Sequence, residues 1–141
     1  MLRRKTATYA LLAMYEIAKQ ARESPDQRGV RAGDIAQRHK LPKAYAAKIL
    51  SQLASVGILH SDRGPRGGFR LNRPAEDISL FDVFSGVDAI VTFERKEDAV
   101  KGLPAPVQAA LSKANREAAA KLKELFLATH LNDILGNGRK A

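Results

Sequence analysis

The sequence predicts a mainly α-helical chain that carries one short β-hairpin and a long helix near its C-terminal end. Three observations predict it. Apolar residues recur at three- and four-residue spacing through the first half and again after residue 106. One Gly/Pro-rich stretch, Gly64-Pro65-Arg66-Gly67-Gly68, lies between two short runs of strand-like residues. Cysteine is absent, so disulfides, thiolate metal sites and cysteine nucleophiles are excluded and a hydrophobic core must organise the chain. With 141 residues, 45% of them hydrophobic, one domain or one domain plus an added helix can bury such a core.

The elements follow in order. A first helix is expected over residues 6–21, where Leu11, Leu12, Tyr15 and Ala18 recur at helical spacing. Arg3, Arg4 and Lys5 ahead of the apolar run 7–15 imitate a signal peptide. Glu16 and Lys19 break that run too early, so an amphipathic helix is the better reading. No stretch is long enough to span a membrane. Residues 24–29 form a loop by their turn chemistry. A short helix over residues 32–39 turns Ile35 and Ala36 inward, and Leu41-Pro42 then breaks the chain. Pro42 suits the first position of a third helix, where its missing N–H costs nothing. That helix runs to about Val56. Ala46, Ile49, Leu50 and Leu53 make one stripe, with Lys43, Ala47, Lys48, Ser51 and Ser55 off it, and Gly57 ends it as a left-handed cap.

Residues 58–62 and 69–71 are the two strands of the hairpin, with a basic tip between them. Ser79 is placed to cap a helix over residues 80–87. Residues 88–105 are mixed and charged, without a clear period. From Pro106 a long helix begins, in which Val107, Leu111, Ala114, Ala118, Leu122 and Leu125 repeat at three and four while Lys and Glu fill the other faces. A short helix over residues 131–135 follows, then a frayed, disordered tail over residues 137–141.

Charge is unevenly placed. Residues 1–73 hold fifteen Lys and Arg against five Asp and Glu, a balance of +10. Residues 74–141 hold nine against ten, a balance of −1, and the two sum to the net +9. A basic half joined to a near-neutral half is expected of a polyanion-binding unit attached to one with another task.

Two short helices joined by a tight turn and followed by a hairpin outline a winged helix-turn-helix. In that arrangement the first turn of the second short helix enters the major groove of DNA. Here that turn carries Lys43, Ala44, Ala47 and Lys48: lysines for phosphates or guanine edges, alanines for thymine methyls or close approach. The wing carries Arg63, Arg66 and Arg70 around its glycines and proline, and an arginine at such a tip can enter a minor groove. The long-helix stripe can pack within the monomer or across a dimer, and a helix of more than four turns after a small compact domain favours the dimer.

These stretches resemble a known family. Asp34-Ile35-Ala36, Leu41-Pro42-Lys43-Ala44-Tyr45, Lys48-Ile49-Leu50-Ser51-Gln52-Leu53, Gly57-Ile58-Leu59 and Arg63-Gly64-Pro65-Arg66-Gly67-Gly68-Phe69-Arg70-Leu71 are similar to the IscR/NsrR-type (Rrf-two) family of bacterial regulators. The wing motif is the most specific of them. Residues 77–83 and 129–135 resemble the family as well. The resemblance implies a homodimeric transcription regulator that binds double-stranded DNA at a roughly palindromic operator, its long helices crossing. It implies DNA contacts from Lys43, Ala44, Tyr45, Ala47 and Lys48 and from Arg63, Arg66, Gly67, Gly68 and Arg70, with Arg63 in the minor groove. The organisation it implies is a DNA-binding winged domain over residues 1–87, a linker over residues 88–105 and a dimerisation unit over residues 106–136.

The chain departs from the family in two places. The best-known members hold an iron–sulfur cluster through three cysteines, and the matching segment here, residues 90–103, has none, so a thiolate-held cluster is excluded and no cofactor is expected. Many members carry Leu-Glu after the recognition tyrosine, where Ala46-Ala47 stands here; the missing carboxylate removes a possible cytosine contact, so the target sequence is not inherited from those members.

The remaining signals are weak. His39, His60 and His130 are scattered, which argues against a shared metal site, and His39 reads as a helix-end residue within reach of phosphate. Glu94, Glu97 and Asp98 read as a solvated loop rather than cation ligands. Gly64–Gly68 lacks the Gly-Lys-Ser/Thr ending of a phosphate-binding loop. No nucleophile, base and orienter occur together, so an enzyme is not expected. The expected protein is a cytoplasmic repressor, controlled by a small ligand near residues 90–106, by a protein effector or by abundance. The rivals are a basic RNA- or ribosome-associated protein and a winged protein-interaction module.

Overall fold

The computed structural model describes residues 2–24, 29–63, 67–91 and 100–136. Its elements are α1 (Arg4–Glu23), α2 (Ala32–His39), α3 (Lys43–Ser55), β1 (Leu59–Asp62), β2 (Gly68–Leu71), a 3-10 turn (Ala75–Asp77), α4 (Leu80–Gly86), α5 (Ala105–Ala128) and α6 (Leu131–Leu135). The fold is mainly helical, with a two-stranded antiparallel wing and a long helix after it. Expected and observed element ends differ by one or two residues, as fraying and capping usually allow.

Helix α1 is the centre of the fold, touching α3, β2, α4 and α6. Its buried face is Ala7, Ala10, Ala13, Met14, Ile17 and Ala18, whereas Leu11, Leu12 and Tyr15 are half-buried. The core face is therefore rotated from the one its large side chains mark. Four alanines let neighbouring elements approach the central helix closely, and close packing decides which face turns inward.

Helix α3 buries the expected stripe, Ala46, Ile49, Leu50 and Leu53. Pro42 sits one position earlier than expected, as the N-cap, and its carbonyl accepts from the Ala46 N–H at 3.0 Å. The α2–α3 turn closes through Lys40 in the left-handed region (φ +55°) and the Leu41 N–H donating to the Ala36 carbonyl at 2.8 Å. Gly57, at φ +81°, ends α3 in the conformation a glycine adopts without steric cost.

The wing strands pair Leu59 with Leu71, His60 with Arg70, Ser61 with Phe69 and Asp62 with Gly68. A further segment joins them. Val30 exchanges two backbone hydrogen bonds with Phe69, at 2.9 and 2.8 Å, so the stretch leading into α2 pairs with β2. The approach is so close that a Cβ on Gly68 would lie 2.7 Å from the Gly29 backbone, and one on Gly29 would lie 2.7 Å from the Gly68 backbone.

Helix α4 begins with a reciprocal cap. The Asp82 N–H donates to Ser79 Oγ at 3.1 Å, and the Ser79 N–H donates to Asp82 Oδ2 at 3.0 Å. Helix α5 has no buried residue. Near its C-terminal end Phe126 meets Phe84 of α4 edge to face at 5.1 Å, and the Lys123 ammonium lies 5.1 Å from the Phe81 ring centre. Helix α6 then returns to the winged half. The Leu131 N–H donates to the Ile78 carbonyl at 2.8 Å, and the Leu131 side chain is buried in the same core as α1 and α3. The short helix grouped by sequence with the long one is thus part of the winged core, because it supplies a leucine that α1 and the 3-10 turn leave room for. No described helix is long and apolar enough to cross a membrane.

Candidate nucleic-acid interface

The N-terminal turn of α3 stands out from the core because its inward stripe starts only at Ala46. Lys43, Ala44 and Lys48 are exposed, and Tyr45 and Ala47 are half-buried. Tyr45 is fixed from behind. Its hydroxyl shares a 2.9 Å hydrogen bond with Thr6 Oγ1, and its ring meets the Tyr9 ring edge to face at 5.3 Å. Tyr45 therefore ties α3 to α1, and the lysines and alanines beside it stand on a helix held at a set height.

Between the two helices runs an open groove of about 410 Å³, lined by Lys5, Tyr9, Pro42, Ala44, Tyr45 and Lys48. Lys5 Nζ stands 5.9 Å from the centre of the Tyr9 ring. Lys5 and Tyr9 belong to this face, although the sequence read Lys5 only as part of a charged lead. The signal that could have found Tyr9 is its place one helical turn after Lys5.

The wing arginines differ in what they are free to do. Arg63 is exposed and has no hydrogen bond or ion pair among the described residues. Arg70 is engaged: its Nε and Nη2 donate to the two carboxylate oxygens of Asp62 at 2.6 and 3.0 Å, and His60 Nε2 lies 3.3 Å from Asp62 Oδ1. The hydrogen bond from Arg70, with the charges of Arg70 and His60, holds the Asp62 carboxyl below its ordinary value of 3.8. Gly67 and Gly68 are buried, and Gly68 is occupied by the contact with Gly29. Arg66 lies outside the described residues, as do Glu94, Glu97, Asp98 and the tail over residues 137–141.

His39, expected within reach of phosphate, instead turns inward. Its Nε2 lies 3.1 Å from Oε1 of Glu16, whose other carboxylate oxygen takes the Arg38 guanidinium. Glu16 is buried, and the Arg38 guanidinium and the His39 ring meet its two carboxylate oxygens while fastening the end of α2 to α1. On α5, Val107 is 43% exposed, Leu111 49% and Leu125 64%; Ala114 and Ala118 are exposed and Leu122 is half-buried. The expected stripe is thus an apolar face that the described residues leave largely open, Leu122 apart.

Comparison with known proteins gives consistent matches. The family model Rrf2, described as an iron-dependent transcriptional regulator, matches residues 3–137. The regulator IscR of Vibrio atlanticus is 36% identical over 83 residues, 59% of this chain and 46% of that protein. IscR of Photobacterium profundum is 35% identical over 83 residues, again 59% and 46%. The chain spans about half the length of the curated relatives it matches. Among solved structures, CymR of B. subtilis, the global cysteine regulator, superposes with a TM-score of 0.67 at 25% identity, covering 92% of each chain. IscR of T. potens shares the fold, with a TM-score of 0.64 at 22% identity over 96% of this chain and 89% of that one. The iron in the family description does not fit a thiolate-held cluster here, because the sequence offers no cysteine. Among the described residues no three His, Cys, Asp or Glu stand close enough together to hold a metal ion.

Proposed function

The chain belongs to the Rrf2 family of transcriptional regulators, and from that premise we propose that it binds double-stranded DNA sequence-specifically, as a homodimer. One observation carries the reading. The exposed Lys43, Ala44 and Lys48 turn of α3 and the unengaged Arg63 of the wing both belong to the half of the chain with a +10 balance. A major-groove helix and a minor-groove arginine are what that pairing offers a duplex.

The homodimer is supported by α5. Its 24 residues extend about 36 Å with none buried, and Val107, Leu111 and Leu125 expose apolar surface that a second copy's α5 matches by symmetry. A two-fold dimer presents two α3 helices to successive major grooves, so the operator is a rough palindrome. The protein acts without a cysteine-held cluster, in the cytoplasm, as a repressor under the control of a small ligand or a protein effector. It reads DNA rather than catalysing a reaction.

The test is fluorescence anisotropy with the duplex upstream of its own gene, a scrambled duplex as competitor, and a salt series. Competitor-resistant binding that weakens steeply with salt supports the reading. Preference for single-stranded RNA over duplex DNA overturns it in favour of an RNA-associated protein, and an absence of binding at low salt overturns it in favour of a protein-interaction module.

A further inference from the structure

We infer that the groove between α1 and α3 is a seat for one backbone phosphate of the DNA, held by Lys5, Lys48 and the Tyr9 hydroxyl. The inference rests on the DNA-binding reading above and adds α1 to the surface that makes contact.

Three observations carry it. First, the groove is open and lies beside Ala44 and Lys48, on the exposed turn of α3, so a duplex that receives this turn brings its sugar-phosphate backbone alongside. Second, its donors come from two helices. Lys5 and Lys48 are both exposed and both line it, and neither has an ion pair with a carboxylate among the described residues. Two uncompensated ammonium groups at one opening attract a monoanion. Third, the wall is aromatic and set. Tyr45 spends its hydroxyl on Thr6, whereas the Tyr9 hydroxyl makes no hydrogen bond among the described residues. The Tyr9 ring is held edge to face against Tyr45, and Lys5 stands over it at 5.9 Å, an arrangement that favours the ammonium over the ring. A phosphodiester suits these elements together: its two free oxygens take the ammonium groups and the phenol O–H, and its deoxyribose packs on Pro42 and the tyrosine ring.

The assignment divides the labour on α3. Lys48 goes to the backbone, and base edges are left to Lys43, Ala44 and Ala47. Tyr9 becomes a contact residue, whereas Tyr45 holds the groove in shape.

Lys5→Ala, Lys5→Arg, Tyr9→Phe and, as a control on the far helix, Lys121→Ala would be compared by anisotropy on the upstream and scrambled duplexes over a salt series. Lys5→Ala should lower the slope of log affinity against log salt by about one unit and weaken both duplexes alike, with Lys5→Arg restoring the slope. Tyr9→Phe keeps the ring and should weaken both duplexes several-fold with an unchanged melting temperature. Lys121→Ala should leave the slope alone. Upstream duplexes carrying one methylphosphonate at a time should then show a single linkage per half-site whose neutralisation weakens the unsubstituted protein markedly more than Lys5→Ala. Unchanged slope and affinity in Lys5→Ala and Tyr9→Phe, with the unsubstituted protein binding DNA normally, would overturn the phosphate seat alone. Failure of the unsubstituted protein to bind either duplex would overturn the DNA reading, and the seat with it.

Discussion

Arg70 is paired with Asp62 across the wing, two hydrogen bonds of 2.6 and 3.0 Å joining the guanidinium to both oxygens of the carboxylate. The pair is exposed, so it contributes little to stability, but it fixes which arginine of the wing is spent. Arg70→Ala should therefore weaken DNA binding much less than Arg63→Ala. Asp62→Ala should do the reverse of a loss, freeing one cation and steepening the salt slope by about one unit. Equal losses from Arg70→Ala and Arg63→Ala in the same anisotropy assay would show that the ion pair opens on DNA.

Acid should leave this clamp in place until late. The Asp62 carboxyl is held below 3.8, chiefly by the hydrogen bond from Arg70. A depressed carboxylate contributes above its unfolded value and loses that contribution only as pH falls through the lower folded one. The Arg70 Nε–H resonance should accordingly hold its position from about pH 8 to about pH 5, and shift only below the ordinary carboxylate range. A shift centred at or above the ordinary carboxylate range would mean that Arg70 does not hold the Asp62 carboxyl down.

Arg63→Ala should weaken binding by about 1–3 kcal/mol, the usual worth of one groove contact, with the melting temperature unchanged. Arg63 is exposed and has no partner among the described residues, so no described contact is lost with it. Undiminished affinity would remove the wing from the interface.

Leu111→Glu should convert dimers to monomers in sedimentation velocity. Leu111 is 49% exposed in its own chain, so a glutamate there is tolerated by the monomer and costly only in an apolar seam between copies. Persisting dimers would place the interface elsewhere.

Gly68→Ala should destabilise the fold by about 1–3 kcal/mol through overpacking, since the added methyl meets the Gly29 backbone rather than a side chain that can turn away. The loss should appear as a lowered urea midpoint. An unchanged midpoint would show that the segment before α2 can lift off the wing freely.

What the sequence disclosed and what it concealed divide along distance in the chain. The Ala46, Ile49, Leu50 and Leu53 stripe is local, one helix period repeated, and a reader of the sequence finds it. The wing is legible for the same reason, a turn rich in Gly and Pro between strand-like residues. The buried Glu16 is not, because its partners Arg38 and His39 lie 22 and 23 residues away on another helix. Nor is the inward face of α1, where small residues outrank large ones once several elements crowd a central helix. Gly68 was legible as a turn glycine but not as the partner of Gly29, a relation that only the folded backbone creates. In the candidate interface, Lys43, Ala44 and Lys48 are legible from their position on α3, whereas Lys5 and Tyr9 join them only because Tyr45 packs α1 behind that turn.

The chain leaves the winged half at Ile90, which is bridged to Leu2, and re-enters it at His130, which is bridged to Ser79. The stretch between is held at both ends, and its described part also meets the winged half through Phe126 on Phe84 and Lys123 over Phe81. Its closure entropy grows only with the logarithm of its length, about 0.6 kcal/mol for each doubling. The winged half should therefore tolerate changes in that stretch, provided Phe126 keeps its contact with Phe84 and Leu131 returns to the core. Length or chemistry can then vary there without redesign of the candidate DNA surface, whereas a loosened return at Leu131 should reach α1 and, through it, the α3 turn packed on it.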